Sequence, residues 1–243
     1  MSERIDVLGV GFDPVTVSQA ADRAMEAVRA GEPGHWVVTP NPEIVWDCKK
    51  NPDVMEAVNR AFLVLPDGIG IVLGAKILGR PLPGKAGGCD FGLELCRRLG
   101  QEGKRLFLLG AKPGVAEKAA ETLQAEAPGL VIAGCADGYF SEDAPVVEKI
   151  NAAAPDALFV CLGAPKQERW MAKNAPDLQV PLMAGIGGSL DVWAGAVKRA
   201  PDWWIRHNLE WLYRLIKEPR RIRRQIRLPL FLLAVIWQRI RGK

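Results

Sequence analysis

A chain of 243 residues, 49% hydrophobic and 25% charged with a formal net charge of +4, is long enough to bury a core of its own, as one large domain or a domain with an appendage. Its five cysteines (Cys48, Cys89, Cys96, Cys135 and Cys161) are scattered and form no Cys-x-x-Cys pair, which argues against a disulfide framework or a zinc site and suits a reducing cytosol. The start, MSERIDVLGVGFD, lacks the basic and long apolar regions of a signal peptide, so a secreted protein is not expected.

In chain order, strands are expected at Ile5–Val10, Trp36–Thr39, Phe62–Leu65, Arg105–Leu109, Val131–Gly134, Ala157–Leu162 and Val180–Ala184. Helices are expected near Val17–Arg29, Pro42–Lys49, Asp53–Asn59, Ile69–Leu78, Phe91–Leu99, Val115–Ala125, Ala144–Asn151 and Lys166–Lys173. This alternation predicts an α/β fold, a mainly parallel Rossmann-like sheet covered by helices, over residues 1–200, with an appendage at 201–243. No internal repeat or low-complexity segment interrupts it.

Charge divides the same way. From Arg206 onward eleven Lys and Arg oppose two Glu, a net of +9, which leaves −5 on the preceding 205 residues. A basic tail on an acidic body points to an anionic partner, either a membrane surface or nucleic acid. The tail's Leu228–Trp237 is an unbroken apolar run, about half of the roughly 20 residues needed to span a bilayer. Arginines flank it and Trp203, Trp204, Trp211, Tyr213 and Trp237 accompany it, the pattern of helices lying in the interface of an anionic leaflet. A basic helix packed on a partner subunit is the other reading. Nucleic acid is disfavoured, because LPLFLLAVIW has no use on a phosphate backbone.

Several expected strands run into small or polar turns: TPNPE (Thr39–Glu43), PDGIG (Pro66–Gly70), LGAKPG (Leu109–Gly114), LGAPKQE (Leu162–Glu168) and AGIGGS (Ala184–Ser189). Glycine admits a ligand close to the backbone, and each following helix offers free N–H groups and a positive dipole end, which suits phosphate. Nucleotide or nucleotide-sugar binding follows, while the absence of GxGxxG and GxxxxGK[ST] patterns disfavours a dehydrogenase or P-loop enzyme. No DxD pair is present and the histidines are only His35 and His207, so no metal site is expected. Asp67 stands at a strand's carboxyl end beside a glycine turn; there it could be a general base, a ribose ligand or a helix cap.

Taken together, TPNPE, LPDGIG, AGGCD (Ala86–Asp90), LGAPKQERW (Leu162–Trp170), GIGGSLDVWAG (Gly185–Gly195), KRAP (Lys198–Pro201) and EWLYRL (Glu210–Leu215) resemble the WecG/TagA/CpsF glycosyltransferases, glycosyltransferase family 26, over nearly the whole chain. The resemblance implies a modified Rossmann fold and an inverting, metal-independent transfer needing no cofactor. The sugar, of N-acetylmannosamine type, moves from a UDP-sugar donor to N-acetylglucosamine on a lipid-linked acceptor, undecaprenyl diphosphate. Such enzymes make teichoic acid linkage units or other surface polysaccharides, work on the inner face of the cell membrane through a C-terminal appendage, and form small homo-oligomers. Other members use N-acetylmannosaminuronic acid or other hexoses; N-acetylmannosamine is the default expectation here.

By the same resemblance Asp67 is the base. Thr39, Asn41 and Gln167 contact substrate, although each could instead serve its turn or helix start. The tail arginines Arg214, Arg221 and Arg224 meet the lipid diphosphate. Lys85 stands where the family usually has arginine, keeping the charge and losing the planar two-pronged geometry. Asp90 could anchor its loop or a hydroxyl, the structural role being the preferred expectation; Lys166 could reach phosphate, and Glu168 and Trp170 are expected to orient and pack their helix. A non-catalytic UDP-sugar sensor is the remaining alternative, if Lys85 marks a lost activity.

Overall fold

A computed structural model describes residues 3–217 and 227–242. The first element is not one strand over Ile5–Val10 but a hairpin, β1 (Ile5–Val7) and β2 (Val10–Phe12), paired antiparallel with Val7 opposite Val10. Leu8 and Gly9 turn it, both at positive φ (57° and 90°), so alternating apolar residues that read as a single strand fold back on themselves.

The chain continues through α1 (Val17–Ala30), β3 (His35–Val38), α2 (Pro42–Cys48), α3 (Pro52–Asn59), β4 (Leu63–Val64), α4 (Ile69–Ile77), α5 (Gly88–Gln101), β5 (Arg105–Gly110) and α6 (Val115–Glu126). It then forms β6 (Val131–Ala136), α7 (Ala144–Ala153), β7 (Ala157–Cys161), α8 (Lys166–Asn174), β8 (Leu182–Gly185) and α9 (Ser189–Trp193). In the tail lie α10 (Asp202–Arg206), α11 (Glu210–Lys217) and α12 (Arg227–Ile240). Among the described residues β3 to β8 form a six-stranded sheet in the order β4-β3-β8-β7-β5-β6, with every neighbouring pair parallel. The short apolar runs are therefore strands covered on both faces, as a parallel sheet requires.

Side chains alternate between those faces. Val37, Leu63, Leu106, Leu108, Phe159 and Leu182 pack with α1, α5, α6 and α9. Trp36, Val38, Val64, Phe107, Leu158 and Met183 pack with the hairpin, α2, α3, α4, α7 and α8. Local signals agree with this plan. Thr16 and Gln19 form a capping box on α1, which ends at left-handed Gly31.

The last helix belongs to the second face. Phe231 and Val235 of α12 are fully buried in that core, with the Phe231 ring set against Gly74, where an added Cβ would lie 3.4 Å from it. Leu230, Leu233, Trp237 and Ile240 stand 47, 62, 55 and 75% exposed. The apolar run is thus divided by the helical period, one stripe inside the protein and another at its surface. Among the described residues no helix is long and apolar enough to cross a membrane.

Candidate active site

The site is built where strands β4, β3, β8 and β7 end side by side. Chains leaving β3 and β7 turn onto the face of α2 and α8, while the chain leaving β8 between them turns the other way into α9. Such a divergence opens a crevice at the carboxyl edge of a parallel sheet. Among the sequence-predicted site residues, Thr39, Asn41, Asp67 and Lys85 sit on loops at this edge, and Gln167 in the first turn of α8 beside them.

Asp67 follows β4 by three residues and is half-buried. The N-cap of α4 falls on Gly68, at φ 85°, so the cap position belongs to the glycine rather than to Asp67. Two bonds hold the surrounding turns: the Asp67 N–H donates to the Pro40 carbonyl (3.3 Å) and the Ala86 N–H to the Pro66 carbonyl (2.7 Å). These tie TPNPE, LPDGIG and AGGCD together. A Cβ built on Gly87 would lie 2.9 Å from Asp67 Oδ1, which places the carboxylate against the glycine turn that opens α5.

The strand carrying Asp67 is itself anchored by a buried acid that the motifs did not mark. Asp13 Oδ2 accepts the Val64 N–H at 2.8 Å, and the Asp13 N–H donates back to the Val64 carbonyl at 3.0 Å. Arg4 Nε and Arg23 Nη1 compensate its charge at 3.1 and 3.3 Å. Its only sequence signal is an acid just after an apolar strand.

Thr39 is 6% exposed and its hydroxyl donates to the Gly185 carbonyl at 3.1 Å. Gln167 is 2% exposed, with Oε1 accepting the Gly187 N–H at 3.1 Å and Nε2 donating to Glu168 Oε1 at 2.9 Å. Both residues therefore grip the turn after β8, one from each side. Asn41 caps α2: its Oδ1 accepts the N–H groups of Glu43 and Ile44, both at 3.0 Å. Lys166 donates to the Gly138 carbonyl at 3.2 Å and lies over the Phe140 ring. Trp170 packs in the core and donates to Asp143 Oδ1 at 3.0 Å.

Two ion pairs tie this edge to later parts of the chain, one of them in the tail. Lys85 Nζ is 4.0 Å from Glu210 Oε2 of α11, and Asp90 in the first turn of α5 pairs with Arg199. Asp90 thus anchors its loop as expected, to a partner 109 residues away. Arg214 follows Glu210 by one turn in α11; Arg221 and Arg224 lie outside the described residues. Among the described residues no group of three or more His, Cys, Asp or Glu is placed to hold a metal ion.

By architecture this is a doubly wound α/β protein, a class whose ligands bind at the carboxyl edge of the sheet. A family model for the glycosyl transferase WecG/TagA/CpsF family matches residues 5–243. The chain is 40% identical over 203 residues to the N-acetylglucosaminyldiphosphoundecaprenol N-acetyl-beta-D-mannosaminyltransferase of Bacillus spizizenii, covering 84% of this chain and 79% of that relative. To the protein of the same name in Staphylococcus aureus (strain MW2) it is 34% identical over 234 residues, 96% of this chain and 92% of the relative. The chain belongs to the WecG/TagA/CpsF family of glycosyl transferases.

Proposed function

We propose that this protein transfers N-acetylmannosamine from UDP-N-acetylmannosamine to N-acetylglucosaminyl-diphospho-undecaprenol, with inversion and without a metal ion. The observation that carries the reading is the placement of Asp67, a half-buried carboxylate at the sheet's carboxyl edge against the Gly87 turn. The names of the relatives supply the substrates.

In the proposed step the acceptor hydroxyl oxygen attacks the anomeric carbon as the bond to the UDP diphosphate breaks. The hydroxyl proton passes to the Asp67 carboxylate and the bonding pair leaves with UDP. A positioned base contributes about 10²–10⁴ in rate. Developing negative charge on the diphosphate requires cations, for which Lys85 and the arginines Arg214, Arg221 and Arg224 are assigned. The Lys85–Glu210 contact supports this by holding α11, one turn before Arg214, beside that edge. Thr39 and Gln167 serve the substrate by shaping the turn after β8, and Asn41 by fixing the start of α2.

The lipid-linked acceptor calls for a membrane surface, and α12 is suited to meet it. Its exposed stripe of Leu230, Leu233, Trp237 and Ile240 has the core on its other side, and Arg239 and Arg241 border it. A helix of 14 residues lies along the interface rather than crossing it. The appendage of residues 201–243 then has two duties, closing the second core through Phe231 and presenting lipid-facing side chains. An inner-face location at the cell membrane is part of the same proposal. Its self-association into a small oligomer, expected from the family, belongs to the same proposal.

The test is a transfer assay with the full chain, a lipid-diphosphate N-acetylglucosamine acceptor and a panel of UDP sugars, with and without EDTA. UDP release and a disaccharide-lipid from UDP-N-acetylmannosamine, insensitive to EDTA, are expected. Product from UDP-N-acetylmannosaminuronic acid alone would reassign the donor. UDP binding without product from any donor would make the protein a sensor.

A further inference from the structure

One buried acid has no part in the transfer described above. Glu168, in the first turn of α8, is 1% exposed; Oε1 accepts the Gln167 Nε2–H at 2.9 Å, and Oε2 has no hydrogen-bond partner among the described residues. The neighbouring Arg169 makes its ion pair with Asp53 at 2.5 Å and offsets the burial of Glu168 only in small part. Burial pushes the Glu168 carboxyl up from its ordinary range. A buried polar oxygen without a partner lowers stability, so packing alone would favour an apolar side chain here, and a hydrogen bond it makes must account for its presence.

That bond selects an orientation. An amide side chain can sit in two nearly isosteric poses that exchange oxygen and nitrogen. With an acceptor at Glu168, the Gln167 nitrogen faces it and the oxygen faces the Gly187 N–H, 3.1 Å away. The reversed pose would set an N–H of Gln167 against the N–H of Gly187. Gly187, at φ 59°, has no side chain with which to hold its own turn. Thr39 grips the other end through the Gly185 carbonyl.

We propose that Glu168 is a positioning residue for the ligand edge: it holds the Gln167 amide in one orientation, and through the Gln167–Gly187 bond it fixes the turn of residues 185–188 against which the donor binds. The inference deepens the transferase reading and rests on it for the identity of the ligand. Its structural part, the hold on the turn, stands by itself.

Two full-length variants test it, Glu168→Met and Glu168→Gln, each examined by hydrogen exchange of a peptide spanning residues 185–189, by melting temperature and by donor kinetics. Glu168→Met should speed exchange at Gly187 about tenfold, the size of effect one neutral hydrogen bond carries. It should also raise the donor KM about tenfold with kcat changed less, and leave the melting temperature unchanged or higher because the unpartnered oxygen is gone. Glu168→Gln keeps an oxygen that accepts the same bond and should return both readouts to within about threefold of wild type. Wild-type exchange in Glu168→Met, or Glu168→Gln behaving like Glu168→Met, would overturn the proposal. So would a lower melting temperature with exchange raised throughout the sheet, which marks a general structural role. If wild type transfers no sugar at all, the transferase reading fails, and the exchange measurement still decides the hold of Glu168 on the turn.

Discussion

Alanine at position 87 should slow the reaction about tenfold while sparing the fold. Gly87 has φ −71° and ψ 151°, a conformation open to every L-residue, so its backbone does not demand glycine. The demand comes from Asp67: the new Cβ would lie 2.9 Å from Oδ1 and 3.7 Å from Cγ, where ordinary contact begins at 3.4 Å. Relief requires the carboxylate to move by about half an ångström. A misplacement of about 1 Å at a reacting group costs about 10²-fold, so half of that should cost roughly tenfold in kcat. Stability should scarcely change. Gly→Ala gains about 0.4–1 kcal/mol through the unfolded chain, and alanine loses a comparable amount as the helix N-cap. The melting temperature should stay within about 4 °C of wild type. Initial rates of UDP release at saturating donor and acceptor, beside calorimetry, make the comparison. Wild-type kcat in Gly87→Ala would refute the placement of Asp67, and a large loss of melting temperature would show that the glycine serves packing instead.

Other consequences follow from the same contacts. Phe231→Ala removes a fully buried ring from the second core; truncations of this kind cost about 3–5 kcal/mol, so the melting temperature should fall by roughly 10 °C. Leu233→Ser with Trp237→Ser alters only the exposed side of α12. The pair should leave melting within about 2 °C and weaken flotation with anionic liposomes more than tenfold; unchanged flotation would remove α12 from the membrane contact. Burial works to raise Asp143, but its bonds with Lys173, Asn174 and Trp170 outweigh it and hold the carboxyl below the usual range. Its contribution is therefore complete above the unfolded value of about 3.9 and is lost as pH falls through the lower folded value. Asp143→Asn should melt lower than wild type at pH 7, and the gap should close in strong acid.

Much of this architecture could be read from residue order. The alternation of apolar runs and helical patterns locates the parallel sheet, and Pro66, Asp67 and Gly68 place a carboxylate at a strand end. The failures have physical causes. Leu8 takes a left-handed turn that carries no Asn-Gly signal, so β1 and β2 read as one strand. Five-residue α9 is too short for a helical period to show. The hold of Thr39 and Gln167 on the Gly185–Gly187 backbone is also silent in sequence, because a hydroxyl and an amide look alike whether or not they bind a turn. Lys85–Glu210 and Asp90–Arg199 join residues more than a hundred positions apart, a distance over which no local pattern speaks. The apolar tail run displayed its hydrophobicity but not its division, since only the sheet-side helices show that Phe231 and Val235 have a core to enter.

The most direct test compares Asp67→Asn with wild type for sugar transfer and for UDP binding. The asparagine keeps the size of the side chain and removes the proton acceptor. Turnover should fall at least about 10²-fold, while UDP affinity and melting temperature stay near wild type. Turnover within a few-fold of wild type would contradict the account and leave Asp67 as a ribose ligand or a structural carboxylate.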